Sequence, residues 1–107
     1  MELNSENISF QLISKGGDAS AKFMRAFQAA REGRMEDARA LVAEGENSLE
    51  EAHKVQTQMI MKEASGKSFG TGVLMIHAQD HLMNAMLVKE LTTHILELYA
   101  RTGIEKE

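Results

Sequence analysis

Apolar and polar positions recur along this chain at helical spacing, in three blocks separated by glycine-containing breaks. In the first, residues 8–31, Ile8, Leu12, Ala19, Phe23, Phe27 and Ala30 fall on one stripe, the recurrence of an amphipathic helix. Gly16-Gly17 interrupts that stripe. A glycine inside a helix costs roughly 1 kcal/mol against alanine, so a helix that runs through the pair uses it for a close helix–helix approach. Gly33 is placed to cap the C-terminus of this block. In the second block, residues 35–64, Ala38, Leu41, Val42, Leu49, Ala52, Gln56, Met59 and Ile60 form the inward stripe. Glu36 and Asp37 suit the positive end of its helix dipole. Residues 65–72, Ser-Gly-Lys-Ser-Phe-Gly-Thr-Gly, are too glycine-rich for a helix and read as a loop. The third block, residues 73–101, is closed by Arg101 and Gly103. Short connections make neighbouring helices antiparallel, so the pattern predicts an all-α, up-down-up three-helix bundle, a single domain over residues 1–107.

The third block is too apolar for its place in so small a bundle. Leu74, Met75, Ile76, Leu82, Met83, Met86, Leu87, Val88, Leu91, Ile95, Leu96, Leu98 and Tyr99 occupy nearly all its faces. Two partner helices cannot cover a helix that is hydrophobic almost all round, so another subunit is expected to cover the rest. A seam with steps of three and four runs along it through Val73, His77, Asp80, Asn84, Leu87, Leu91, His94 and Leu98. If that seam meets its own copies around a symmetry axis, the Asp80 carboxylates come together. Like charges in a low-dielectric setting need protons or a cation, and a hard oxygen-preferring ion, Mg²⁺, fits them.

Polar side chains are rare in this apolar run, and they converge. His77, Asp80, His81 and Asn84 share one helix face through i, i+3, i+4 and i+7 spacing. Burying such groups without compensation costs several kcal/mol, by rough estimate, so chemistry, a ligand or pairing is expected of them. Gln79 lies on a neighbouring face, while His53 and Gln56 on the second helix are expected to turn inward and line the same site. His94 reads as structural. One alternative is a zinc site, because His77 and His81 have i, i+4 ligand spacing with Asp80 beside them, although the glutamate of the His-Glu-x-x-His motif is missing. Another is a helical oligomerisation module whose polar seam only sets register.

Composition narrows the classes further. The chain has no proline and no cysteine, which favours helices and leaves neither disulfides nor thiolate metal sites. A net charge of −4 and the lack of a basic cluster with interleaved aromatics argue against nucleic acid as a partner. No apolar run is long enough to span a membrane, and Met1-Glu2-Leu3-Asn4-Ser5-Glu6 has no signal-peptide character, so a soluble cytoplasmic protein is expected.

His77-Ala78-Gln79-Asp80-His81-Leu82-Met83 resembles the signature of the enzyme IIA proteins of the lactose, cellobiose and diacetylchitobiose class in the bacterial sugar phosphotransferase system. Gly17-Asp18-Ala19, Glu51-Ala52-His53 with Gln56-Thr57, and Glu97-Leu98 are also similar to that family's pattern. The resemblance implies a homotrimer of three-helix bundles, a nine-helix assembly. It implies that His77 accepts a phosphoryl group from HPr and passes it to a IIB protein, which works with a membrane IIC component. Asp80 sits where the family's metal-binding aspartate sits, implying one Mg²⁺ per trimer. Phosphoryl transfer needs positioning and charge stabilisation, for which His81 and Gln79 are the expected hydrogen-bond donors to phosphoryl oxygens. A β-linked disaccharide is the sugar implied, although a carrier of this kind touches proteins and not sugar.

Overall fold

The computed structural model describes residues 4–102, which form α1 (Ser5–Arg31), α2 (Met35–Ala64) and α3 (Val73–Arg101), with no strand among them. The helices run up, down and up in a rod of 56 × 22 × 19 Å. The start of α1 lies a turn ahead of its first apolar residue. Asn4 caps it, its side-chain oxygen accepting from the Asn7 N–H at 2.8 Å. At the other end Gly33 adopts φ 86°, the left-handed region that glycine enters without strain. There the Gly33 N–H donates to the Ala30 carbonyl at 3.0 Å and the Arg34 N–H to Ala29 at 2.8 Å, satisfying carbonyls that the ending helix leaves free. Gly103, expected to close α3, lies outside the described residues.

α1 runs unbroken through Gly16-Gly17, and the two glycines differ in what surrounds them. A Cβ on Gly16 would stand 3.5 Å from the carbonyl carbon and oxygen of His81, whereas one on Gly17 would meet nothing within 4 Å. The expected close approach is therefore made by Gly16 alone, and it brings α1 against the backbone of α3.

The main core gathers Ile8, Leu12, Ala19 and Phe23 of α1, Leu49, Ala52 and Met59 of α2, and Met75, Ala78, Leu82 and Ala85 of α3. Phe69 folds back from the loop into the same cluster, while the Lys67 ammonium stands 5.5 Å from its ring centre. A smaller alanine-rich cluster of Ala26, Ala29, Ala30, Met35 and Ala38 closes the opposite end. Two members of the predicted stripes depart from this core. Phe27 is only half-buried, and Ile60 is 54% exposed.

Polar pairs on the outer side fix the α1–α2 register. Lys15 meets Glu51 at 2.8 Å, Asp18 accepts from the Ser48 hydroxyl, and Lys22 reaches Glu44 at 4.0 Å. Continued in the same antiparallel register, Ile60 comes level with Glu6 near the start of α1, where Met59 beside it takes the buried position and Ile60 faces outward. The hydrogen bond from Ser48, followed by that from Lys22, holds the Asp18 carboxyl below its ordinary pKa. The Lys15 ammonium acts likewise on Glu51.

Candidate functional site

His77 and His81 stand at i and i+4 on α3, one helical turn apart, and the two imidazoles meet edge to face. Their Nε2 atoms lie 3.0 Å apart, with ring centres 4.5 Å apart and planes at 77°. A contact of that length between two ring nitrogens needs one N–H donor and one lone pair, so both rings cannot be imidazolium while it persists. His77 is exposed and His81 half-buried, and the backbone of His81 lies against Gly16 of α1. The arrangement thus offers one imidazole nitrogen at the surface, backed by a second that is held in place through the bundle.

Gln79 does not join this pair. Its amide oxygen accepts from Gln56 Nε2 at 2.7 Å, and its Nε2 donates to the sulfurs of Met75 at 3.5 Å and Met59 at 3.6 Å. The side chain is thereby committed to the α2 side of α3. Gln56 is half-buried as expected, but it serves Gln79 and not the histidines. His53 is a correction: it is exposed, and lines a groove with Glu46, Leu49, Glu50, Met86, Lys89 and Glu90. One turn before Gln56, it lies past the edge of the buried stripe, which Leu49 and Ala52 fill. The close approach at Gly16 is legible in the sequence without its partner His81, and no pattern announces the sulfurs of Met59 and Met75 that orient Gln79.

Asp80 is exposed, on a face of α3 turned away from both α1 and α2. Along that face Val73 is 83% exposed, Leu87 56% and Leu98 62%, with Asn84, Leu91 and His94 also exposed. Among the described residues no group of three or more His, Cys, Asp or Glu is placed to hold a metal ion within one chain. A cation at Asp80 would therefore draw its ligands from further copies. A single carboxylate within an exposed apolar seam suits that arrangement, and its oxygens suit a hard ion. The same finding leaves a zinc ion at His77 and His81 short of ligands within the chain.

Three comparisons decide the family. Residues 7–100 match the family model described as the lactose/cellobiose-specific IIA subunit of the PTS system. The chain belongs to that family. It is 44% identical over 94 residues to the lactose-specific EIIA component of the PTS from Staphylococcus aureus, covering 88% of this chain and 91% of that one. The crystal structure of the cellobiose-specific enzyme IIA from Bacillus anthracis superimposes with a TM-score of 0.90 at 42% identity, over 95% of this chain and 94% of that one. The IIA(chitobiose) of Escherichia coli, solved in solution in complex with HPr, has a TM-score of 0.79 at 33% identity, covering 94% and 98% of the two chains. This IIA chain is thus a sugar-specific component of the phosphotransferase system with the all-helical fold of its relatives, and no helix among its described residues is long and apolar enough to cross a membrane.

Proposed function

We propose that the protein is a cytoplasmic phosphoryl carrier in which His77 takes the group from phospho-HPr and hands it to a IIB partner. The observation that carries this reading is the Nε2–Nε2 contact between exposed His77 and half-buried His81. With the proton of the contact on His81, His77 is the neutral imidazole whose Nε2 lone pair accepts it and whose Nδ1 bears hydrogen, and opening the contact frees that lone pair at the surface. That lone pair attacks phosphorus in line. The bond that held the phosphoryl group on HPr breaks as the Nε2–phosphorus bond forms, and HPr departs with the electron pair. His81 Nε2–H, released from His77, donates to a phosphoryl oxygen, and the reverse sequence delivers the group to IIB. Positioning and charge stabilisation are what such a transfer asks of the protein. The likeness to a IIA solved with HPr supports the choice of donor.

The seam of α3 supports a homotrimer, because exposed Val73, Leu87, Leu91 and Leu98 share one face with Asp80. Contact between copies covers the apolar residues and gathers the carboxylates. Mg²⁺ would be held there by Asp80 from each copy, where it neutralises their charge and has a structural part. The IIB partner works with a membrane IIC component, and the sugar they take up is a β-linked disaccharide, as the lactose, cellobiose and chitobiose relatives suggest.

Incubation with labelled phosphoenolpyruvate, enzyme I and HPr tests the carrier role. Acid-labile label is expected on wild type and absent from His77→Ala. Full labelling of His77→Ala would move the acceptor elsewhere, and an unlabelled wild type would leave a scaffold.

A further inference from the structure

The exposed seam of α3 alternates steps of three and four, the a/d repeat by which helices pair with their own copies. Within that repeat Asp80, Leu87 and His94 occupy the same position in successive heptads. His94 thus stands on the seam as Asp80 does, about 21 Å farther along α3 at 1.5 Å per residue. Exposed Leu91 and Leu98 flank it one turn to either side. Among the described residues its imidazole makes no hydrogen bond or ion pair. The carboxylates one turn to either side of it on α3 are Glu90 and Glu97, and Glu97 is paired with Arg101 at 3.0 Å. The imidazole thus stands between two leucine layers without a bond to either carboxylate.

Resting on the homotrimeric reading, we propose that the His94 imidazoles meet on the symmetry axis and form a second metal site, for an imidazole-preferring divalent ion, Zn²⁺ foremost. Threefold symmetry sets His94 of the three copies at one height along the axis, so the three rings lie in one layer. Three nitrogen ligands with a fourth position left for water make a coordination set that zinc accepts, whereas Mg²⁺ prefers the oxygens at Asp80. The leucine layers above and below exclude competing water and hold the rings in their plane. The two ends of the seam thus take different ions, a hard one among carboxylates near the histidine pair and a softer one among imidazoles toward the C-terminus. The ion at His94 ties the three α3 helices together where the covering α1 and α2 contribute nothing to the axis.

The test uses full-length protein carrying His77→Ala and His81→Ala, which removes the other imidazole pair, stripped with chelator and dialysed against Zn²⁺ alone. Light scattering reads the mass in the same samples. The expected result is a trimer that takes up one Zn²⁺ per trimer and melts at a higher temperature with it. Adding His94→Leu should weaken uptake at least tenfold while keeping the trimer, since leucine continues the seam. Adding Asp80→Leu instead should leave zinc uptake intact. A trimer that binds no zinc, or binds it equally with His94→Leu, overturns the site alone. A monomer overturns the shared homotrimeric reading and the site with it.

Discussion

Gly16 of α1 lies directly beneath the backbone of His81, close enough that a Cβ would stand 3.5 Å from the His81 carbonyl. The helix that carries the histidine pair is therefore seated on the one residue of α1 that presents no side chain to it. Gly16→Ala places a methyl group in ordinary contact and removes a helix-interior glycine, so its stability should change by less than about 1 kcal/mol. Gly16→Leu has no room and must push α1 from α3, costing about 1–3 kcal/mol. Thermal melts with phosphorylation rates on both variants check this, and the leucine variant should also label more slowly because His81 is displaced.

His81→Ala removes the donor facing His77 Nε2. Label should still appear on His77, but transfer from HPr should slow by about 10–100-fold, the worth of one charge-assisted hydrogen bond of roughly 1.5–3 kcal/mol. Single-turnover labelling by rapid quench reads the effect, and an unchanged rate would make His81 a packing residue only.

Asp80→Leu should remove any metal requirement of the assembly. Replacing gathered carboxylates by apolar side chains is often neutral or stabilising, by about 1–4 kcal/mol. Chelation should lower the melting temperature of wild type at neutral pH and leave Asp80→Leu unmoved. Equal responses in the two proteins would remove Asp80 as a ligand.

Gly45 faces Phe23, and a Cβ there would come 2.7 Å from the Phe23 ring. Phe23 is fully buried and has nowhere to retreat. Gly45→Ala should therefore destabilise the fold by about 1–3 kcal/mol. Gly17→Ala meets open space and should stabilise by about 0.5–1 kcal/mol in denaturant titrations.

The depressed pKa of Asp18 makes a pH prediction with a definite sign. Its carboxylate is favoured by folding, so the stabilisation is present above the ordinary carboxylate range and is lost as pH falls through the lowered value. The pair is solvent-screened, which limits the effect to about 0.2–1 kcal/mol. Asp18→Asn should lower stability at neutral pH and converge with wild type in acid, as read from urea melts across pH.

Helix boundaries were legible wherever glycine or charge punctuates the chain, at Gly33, at the loop of residues 65–72 and at Arg101. The start of α1 escapes periodicity because a stripe begins at its first apolar residue, whereas the helix begins at Ser5 behind its cap, Asn4. The histidine pair was visible because a spacing of four on one helix guarantees proximity. Gln79, His53 and Ile60 were harder, since their surroundings depend on how far a neighbouring helix extends and which sulfur or amide it offers. Periodicity gives a face and not a partner.

Phe69 has a consequence for the chain segment that precedes the histidines. With its ring buried in the core, the otherwise exposed connection between α2 and α3 is pinned at one residue. A protease should nick the exposed residues beside Phe69 and leave two fragments that remain associated. Loop sequences exchanged into this protein can vary in length before residue 69 but must keep a large apolar side chain there. That anchor fixes where α3 begins, and with it how far His77 stands from the end of the rod.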